Sequence, residues 1–229
     1  MKTPSVTLCS GATFELPIFD PFVAAHVASS HSYVGTLLDQ INSGLYAPLF
    51  AGKSDLTLLD IGANIGLVSI HAAPACKRIV SVEPAPDTFR VLEAMTRSFP
   101  NIEPVRAALA PVDGSVEFYV NDVNSTASST VNTYGIKTTV PGLKLSSILR
   151  IYQLDRVDVC KVDAEGSEGE SLSLEELTKA ADVIASYWIE FHNCPKSDWQ
   201  HKLGTTVGNL LRLGYYKMTI DGMTLVASK

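Results

Sequence analysis

The sequence predicts a doubly wound α/β domain, and three observations carry that prediction. Short apolar runs alternate with longer helical segments from residue 56 onward. The first run breaks at a glycine turn that opens a helix, and the chain closes in two β-rich runs separated by Asp221-Gly222. The first two describe a mostly parallel sheet with helical crossovers. The third describes an antiparallel hairpin at its end.

Each element has its own local reason. Residues 56–61, Leu-Thr-Leu-Leu-Asp-Ile, form a continuous apolar run, as a strand covered on both faces requires. The run stops at Gly62, and residues 67–72 read as a helix. A second strand over residues 78–83 ends at Pro84 and Pro86. Asp87 then stands as the cap of a helix over residues 88–98, with Phe89, Leu92 and Met95 as its buried stripe. A third strand covers residues 102–109. The turn Asp113-Gly114 follows, and then the alternating run 116–120. Residues 121–139 are rich in Asn, Ser and Thr and read as a long binding loop or lid. A helix over 145–152 leads to a fourth strand at 157–163, and a helix at 174–180 to a fifth strand at 183–190. The last helix, 198–213, ends at Gly214. Residues 215–220 and 223–227 form the closing hairpin. Short helical patterns at 21–28 and 35–41 make residues 1–50 a helical cover segment, with residues 51–229 as the main domain.

Composition narrows the function. The chain has 229 residues, 46% hydrophobic and 18% charged, enough for a sizeable core without disulfide or metal staples. Its net charge is −6, and its longest basic cluster is Lys77-Arg78. That argues against nucleic acid as a partner, because phosphate-neutralising proteins need clustered basic surface. No apolar run approaches the ~18 residues of a membrane span, and the start lacks a signal-peptide core. Cys9, Cys76, Cys160 and Cys194 form no Cys-x-x-Cys pair. Free thiols and a cytoplasmic location are expected.

The most informative segment is Asp60-Ile61-Gly62-Ala63-Asn64-Ile65-Gly66. A strand passing through a tight glycine turn into a helix brings backbone N–H groups and a helix start up to a ligand. Asn64 stands where a G-x-G-x-x-G fingerprint has its second glycine, and no G-x-x-x-x-G-K-[ST] occurs. Dinucleotide and P-loop triphosphate binding are both disfavoured. Glu83 ends the next strand, seventeen residues beyond Gly66. A carboxylate there can accept both hydroxyls of a ribose.

The combination Asp60-x-Gly62-x-Asn64-x-Gly66, Glu83-Pro84-x-Pro86 and Lys161-Val162-Asp163-Ala164-Glu165-Gly166-x-Glu168 resembles the FkbM family of S-adenosylmethionine-dependent methyltransferases. The resemblance runs from about residue 56 to the C-terminus. It implies a class I, Rossmann-like fold with a mostly parallel seven-stranded sheet. It implies a cofactor, S-adenosylmethionine, held by Asp60, Gly62, Ala63, Asn64 and Gly66 around its methionine part, with Glu83 and Pro84 at its ribose. It also implies O-methylation of a sugar or natural-product hydroxyl, so a small-molecule or saccharide acceptor is the expected partner, with no nucleic acid and no membrane. A homo-oligomer is left open.

The chemistry is expected at the carboxyl ends of the strands. Lys161 and Asp163 alternate onto one face of the fourth strand, and Glu190 and His192 onto one face at the end of the fifth. Methyl transfer is an in-line displacement from a sulfonium, so the enzyme positions the acceptor and removes its proton. Asp163 is the first candidate for that work, Lys161 its partner. His192, with an ordinary pKa near 6.5, suits a general base supported by Glu190. Asp163, Glu190 and His192 are suitable ligand types for a divalent metal, but no metal is expected, since their spacing does not require one. Tyr119, Tyr134, Tyr187, Trp188 and Trp199 are candidates for shaping an acceptor pocket, although packing is the commoner role for such residues. Two other readings stay open: a nicotinamide-dependent oxidoreductase, and a non-catalytic nucleotide-binding module of the same fold.

Overall fold

The computed structural model describes residues 5–15, 41, 44–120, 130–131, 135–193 and 198–229. Its centre is a seven-stranded sheet. In chain order the strands are β3 (Leu56–Ile61), β4 (Cys76–Val82), β5 (Ile102–Val105), β9 (Val159–Asp163), β10 (Ser186–Glu190), β11 (Lys217–Asp221) and β12 (Thr224–Ser228). Their spatial order is β11-β12-β10-β9-β3-β4-β5. The chain winds outward from β3 through β4 to β5, then returns to β9 on the other side of β3 and winds outward again. Strand order therefore reverses between β3 and β9, and a crevice opens at such a point beyond the carboxyl ends. Only β12 runs antiparallel, pairing with β10 and β11. The closing hairpin turns through Gly222-Met223, with Gly222 at φ +55°.

Strand alternation sends the sheet's side chains into two cores. Leu59, Ile61, Val80, Val82, Cys160 and Val162 face one layer. That layer holds α4 (Leu145–Ile151), α6 (Leu174–Ala180) and α7 (Trp199–Arg212), with the one-turn α5 (Glu168–Ser171) against α7. Leu58, Ile79 and Val159 face the other, which holds α2 (Leu67–Ala72) and α3 (Pro86–Thr96). Tyr46 and the short helix α1 (Ala47–Phe50) pack into this second layer, with the hairpin of β1 (Ser5–Thr7) and β2 (Thr13–Glu15) beside them. The helical patterns expected at 21–28 and 35–41 lie outside the described residues, apart from Ile41, which is buried in that layer. No helix among the described residues is long and apolar enough to cross a membrane. Cys76 and Cys160 are free thiols among the described residues, Cys9 Sγ donates to the Ile41 carbonyl at 3.3 Å, and Cys194 lies outside them.

Three sequence expectations need correction. Asp87 does not cap α3. The helix starts at Pro86, Ala85 stands at the cap, and the buried face is Thr88, Val91, Leu92, Met95 and Thr96, with Phe89 half-buried. Proline suits the first helical position because its missing N–H has no partner there anyway. The third strand is two: β5 stays in the main sheet, while β6 (Ala108–Leu109) leaves it. The expected loop 121–139 is shorter. Its last residues belong to β8 (Ile136–Leu143), which pairs antiparallel with β7 (Gly114–Val120) and parallel with β6. The β-branched run Ile136, Thr138, Thr139, Val140 fits a pleated strand better than a loop. Val120 pairs with Ile136, so residues 121–135 connect the two strands of a hairpin.

Candidate active site

The crevice encloses about 560 Å³, part of it open to solvent. Gly62, Asn64, Glu83 and Pro84 line one side, and Asp163, Ala164 and Glu165 the other. The three-stranded sheet roofs it with Ala108, Leu109 and Phe118, and Thr130 reaches it from the hairpin connection.

The first side is built from the turn after β3. The N–H groups of Gly62 and Ala63 both donate to the Val82 carbonyl, at 2.9 and 3.0 Å, which bends the chain across the end of β4. Gly62 sits at φ +74°, and a Cβ there would lie 1.7 Å from the Asp163 carbonyl oxygen. No other residue fits so close to the neighbouring backbone. Asn64 also takes a left-handed conformation, φ +51°, and asparagine is one of the few side-chain-bearing residues that do so readily. Its N–H donates to Glu83 Oε2 at 3.0 Å, and the Ala85 N–H donates to Oε1 at 2.9 Å. Burial pushes the Glu83 carboxyl up to about 7, against the opposing pull of those two N–H donors and of Lys161. A carboxylate offers about four acceptor positions, and the backbone takes one on each oxygen.

Asp60, Ala63 and Gly66 are absent from the crevice lining. Asp60 is wholly buried under α2, where its Oδ2 accepts from Ser69 Oγ at 2.6 Å; Ser69 Oγ in turn lies 2.7 Å from Ser81 Oγ. Register places Asp60 beside Lys161 in the parallel β3–β9 pair, with Nζ 3.4 Å from Oδ1. Lys161 Nζ also donates to the Gly62 carbonyl at 3.0 Å and lies 3.4 Å from Asp163 Oδ2. This buried lysine therefore joins the glycine turn to the end of β9. Gly66, at φ +89°, lets α2 begin against Leu92 of α3, whose Cδ1 would lie 2.6 Å from any Cβ there.

The second side is charged. His192, just past β10, has Nδ1 3.2 Å from Glu168 Oε1. Its Nε2 lies 3.8 Å from Asp163 Oδ1, 3.8 Å from Glu165 Oε2 and 3.9 Å from Glu190 Oε1. Burial lowers the histidine's pKa, but the Glu168 hydrogen bond and the charges of Glu165, Asp163 and Glu168 outweigh it and raise it to about 9. These neighbours move His192 upward from the ordinary imidazole value near 6.5 that the sequence suggests. Burial and the neighbouring carboxylates push Glu165 up to about 8, with His192 pulling the other way, and Glu190 is raised for the same reasons. Glu165 itself sits at φ +50°, and Glu168 Oε1 accepts from the N–H groups of Ala164 and Gly166 on either side of it, at 3.1 and 3.0 Å.

Three residues of this region escaped the sequence reading. Glu168, quoted there only as part of a motif, is the direct partner of His192. Lys202, 4% exposed on α7, donates to the carbonyls of Gly166 at 2.7 Å and His192 at 2.8 Å and so ties the ends of β9 and β10 together. Gly169 leaves room for its stem, since a Cβ there would lie 2.7 Å from Lys202 Cγ. The spacing of Lys202, Thr206 and Leu210, all buried on one helical face, was the available signal. Tyr46, its ring 5.2 Å from Trp188, feels the charges of Lys161, Asp163, Asp60 and Glu190; nothing in its neighbourhood of the sequence marks it. Among the aromatics expected at the pocket, Tyr187 and Trp188 are core residues, Trp199 packs against the core, and Tyr134 lies outside the described residues. Tyr119 is half-buried and its hydroxyl reaches Glu117. Phe118, its neighbour, is the residue that lines the crevice.

A seven-stranded sheet whose order reverses at β3, with an antiparallel β12 inserted beside β10, defines a Rossmann-like methyltransferase fold of class I. Residues 60–215, more than half of the chain, match the methyltransferase FkbM domain, and the chain belongs to that family. The matched domain is a methyltransferase domain. No curated protein matches the sequence. Among solved structures the chain is similar to a fibrillarin pre-rRNA processing protein from Methanococcus jannaschii, at 14% identity and a TM-score of 0.46 over 76% of this chain and 66% of that one, just under two thirds. It is also similar to a precorrin-6y C5,15-methyltransferase from Geobacter metallireducens, at 15% identity and a TM-score of 0.48 over 82% and 88%. A third is fibrillarin from Aeropyrum pernix with natively bound S-adenosyl-L-methionine, at 13% identity and a TM-score of 0.45 over 77% and 67%.

Proposed function

We propose that the crevice binds S-adenosylmethionine with its ribose at Glu83 and its methionine part over the Gly62–Asn64 turn, and that the methyl group passes to a hydroxyl oxygen of a small-molecule or saccharide acceptor held near Asp163. The observation that carries this reading is the Glu83 carboxylate, fixed by two backbone N–H donors at the edge of the crevice. With both oxygens oriented in advance, its remaining acceptor positions suit two adjacent hydroxyls without reorganisation.

The reaction is a single displacement. S-adenosylmethionine held by Glu83 and the Gly62–Asn64 turn would supply a methyl group activated on its sulfonium, which the acceptor oxygen would take with departure of the neutral thioether. The acceptor's proton passes to one of two carboxylates, Asp163 or Glu190. The carboxylates around His192 raise its pKa to about 9, so in the absence of other cations its part is to hold those carboxylates rather than to take the proton. Lys161, pinned to Gly62 and Asp60, sets where Asp163 stands. The negative net charge favours a small acceptor over nucleic acid.

Calorimetric titration with S-adenosylmethionine, S-adenosylhomocysteine and NAD tests the cofactor. Both sulfur nucleotides should bind and NAD should not, and Glu83→Ala should lose at least about tenfold in affinity. Absence of binding to folded protein would overturn the reading and leave the non-catalytic module. Screening of hydroxyl, amine and carboxylate acceptors then decides the atom methylated; transfer to nitrogen alone would sink the oxygen assignment.

A further inference from the structure

We propose that Asp163, Glu165 and His192 form a binding site for one oxygen-preferring divalent cation, Mn²⁺ or Mg²⁺, that holds the acceptor hydroxyl. This deepens the methyl-transfer reading above and rests on it for the cation's role, although not for the site itself.

The geometry comes first. One ligand atom from each of the three residues can be chosen so that all lie within 4.8 Å of one another. Bonds of about 2.1 Å put two donors on one ion between about 3 Å apart at a right angle and about 4.2 Å when opposed. His192 Nε2 stands 3.8 Å from an oxygen of Asp163 and 3.8 Å from one of Glu165, inside that range. Closing the widest pair needs side-chain shifts of roughly half an ångström. Two carboxylates with one imidazole, open to a solvent-filled crevice, suit Mn²⁺ or Mg²⁺ better than a thiol-seeking metal.

A second observation concerns a residue outside the three ligands. The far side of the His192 ring is held by Glu168, whose Oε1 lies 3.2 Å from Nδ1. A ligating histidine commonly gives its other ring nitrogen to a carboxylate in this way, which fixes the tautomer and aims Nε2 at the metal, and the cation would displace the Nε2 proton into solvent. Glu168 is wholly buried, and its Oε2 has no hydrogen-bond partner among the described residues. A buried carboxylate of this kind is costly unless positive charge lies close by.

Formal charge points the same way. Asp60, Asp163, Glu165, Glu168 and Glu190 bring five carboxylates to the ends of β3, β9 and β10. Lys161 is engaged with Asp60, Asp163 and Gly62, and Lys202 with two backbone carbonyls. A divalent ion bound there would place positive charge directly among these carboxylates. Glu190, with an oxygen 3.9 Å from Nε2, stays outside the ligand set. An acceptor hydroxyl bound to the ion would be more acidic, and its proton would go to Glu190 as the carbon–oxygen bond forms.

Mn²⁺ is the probe. The full-length protein, cleared of metal by chelation, is titrated with Mn²⁺ and followed by electron paramagnetic resonance, with and without S-adenosylhomocysteine. One equivalent should bind and show hyperfine coupling to a single imidazole nitrogen. Glu165→Gln should weaken binding at least about tenfold, and His192→Gln should abolish the nitrogen coupling, each variant first shown to be folded by circular dichroism. Substoichiometric binding to folded wild type, or bound Mn²⁺ without nitrogen coupling, would overturn the site. If S-adenosylhomocysteine binds in that case, the methyl-transfer reading stands and the cation alone is lost. If Mn²⁺ binds as expected and S-adenosylhomocysteine does not, the site stands and the methyl-transfer reading is lost.

Discussion

The two sides of the crevice are built from opposite materials. At the ends of β3 and β4 the surface is mostly backbone: a glycine turn, an asparagine in left-handed conformation and one carboxylate gripped by two N–H groups. At the ends of β9 and β10 it is mostly side chain, with carboxylates crowded around one imidazole and a buried lysine beneath. A ligand common to a whole family can be met by backbone, which varies little with side-chain identity. Moving a proton requires charges whose pKa values neighbours can shift. The comparison therefore separates binding from chemistry, and substitutions on each side should fail differently.

Gly62→Ala should have the largest effect, because it harms both sides. The added Cβ would overlap the Asp163 carbonyl, and only backbone movement relieves it. Chemical denaturation should show a loss of about 4 kcal/mol or more, or no folded protein. A loss below about 1 kcal/mol would mean that the turn and β9 are not in contact. Asp163→Asn is confined to the charged side. It should lower the methyl-transfer rate by about 10²–10⁴ and leave the affinity for S-adenosylhomocysteine within about threefold; an equal loss in both would erase the distinction between the sides.

Glu83 sharpens the comparison through pH. Its carboxyl is raised from an ordinary 4.5 to about 7 by burial, so it is protonated in the cofactor-free protein below about 7. Ribose hydroxyls donate best to the ionised form, so cofactor affinity should rise as pH climbs through about 7, and Glu83→Gln should flatten that rise. Stability runs the other way. The folded state binds the extra proton, so the contribution of Glu83 to stability is full below about 4.5 and is lost as pH rises through about 7. Calorimetry and denaturation at pH 5.5 and 8.5 check both signs. Arg78→Ala should have the smallest effect. It breaks an exposed pair with Glu103 far from either side and should cost no more than about 1 kcal/mol, with cofactor affinity unchanged.

The same asymmetry governed what could be read from the sequence. β3 and α2 were legible to the residue, because an apolar run ending in a glycine turn is a local pattern. So were Gly62, Asn64 and Glu83, whose positions follow from consecutive strand ends. The charged side was legible only as a list of residues. That His192 meets Glu168 across 24 residues, and that Lys202 passes Gly169 to reach two carbonyls, depends on how α7 packs across the strand ends. The upward shift of His192 was hidden for the same reason: three of the carboxylates near it arrive from the end of β9 and the residues just after it. The small sheet was missed because β8 follows a polar stretch, and a short run of Thr and Val beside it reads as more loop.

That small sheet has a consequence of its own. β6, β7 and β8 pair with one another and not with the seven-stranded sheet, yet they roof the crevice through Phe118 and carry the connection that brings Thr130 to it. β7 and β8 can therefore be altered without breaking a ladder of the main sheet. On the function proposed above, a change in this hairpin would alter the roof over the acceptor while the ladders beneath it stay intact.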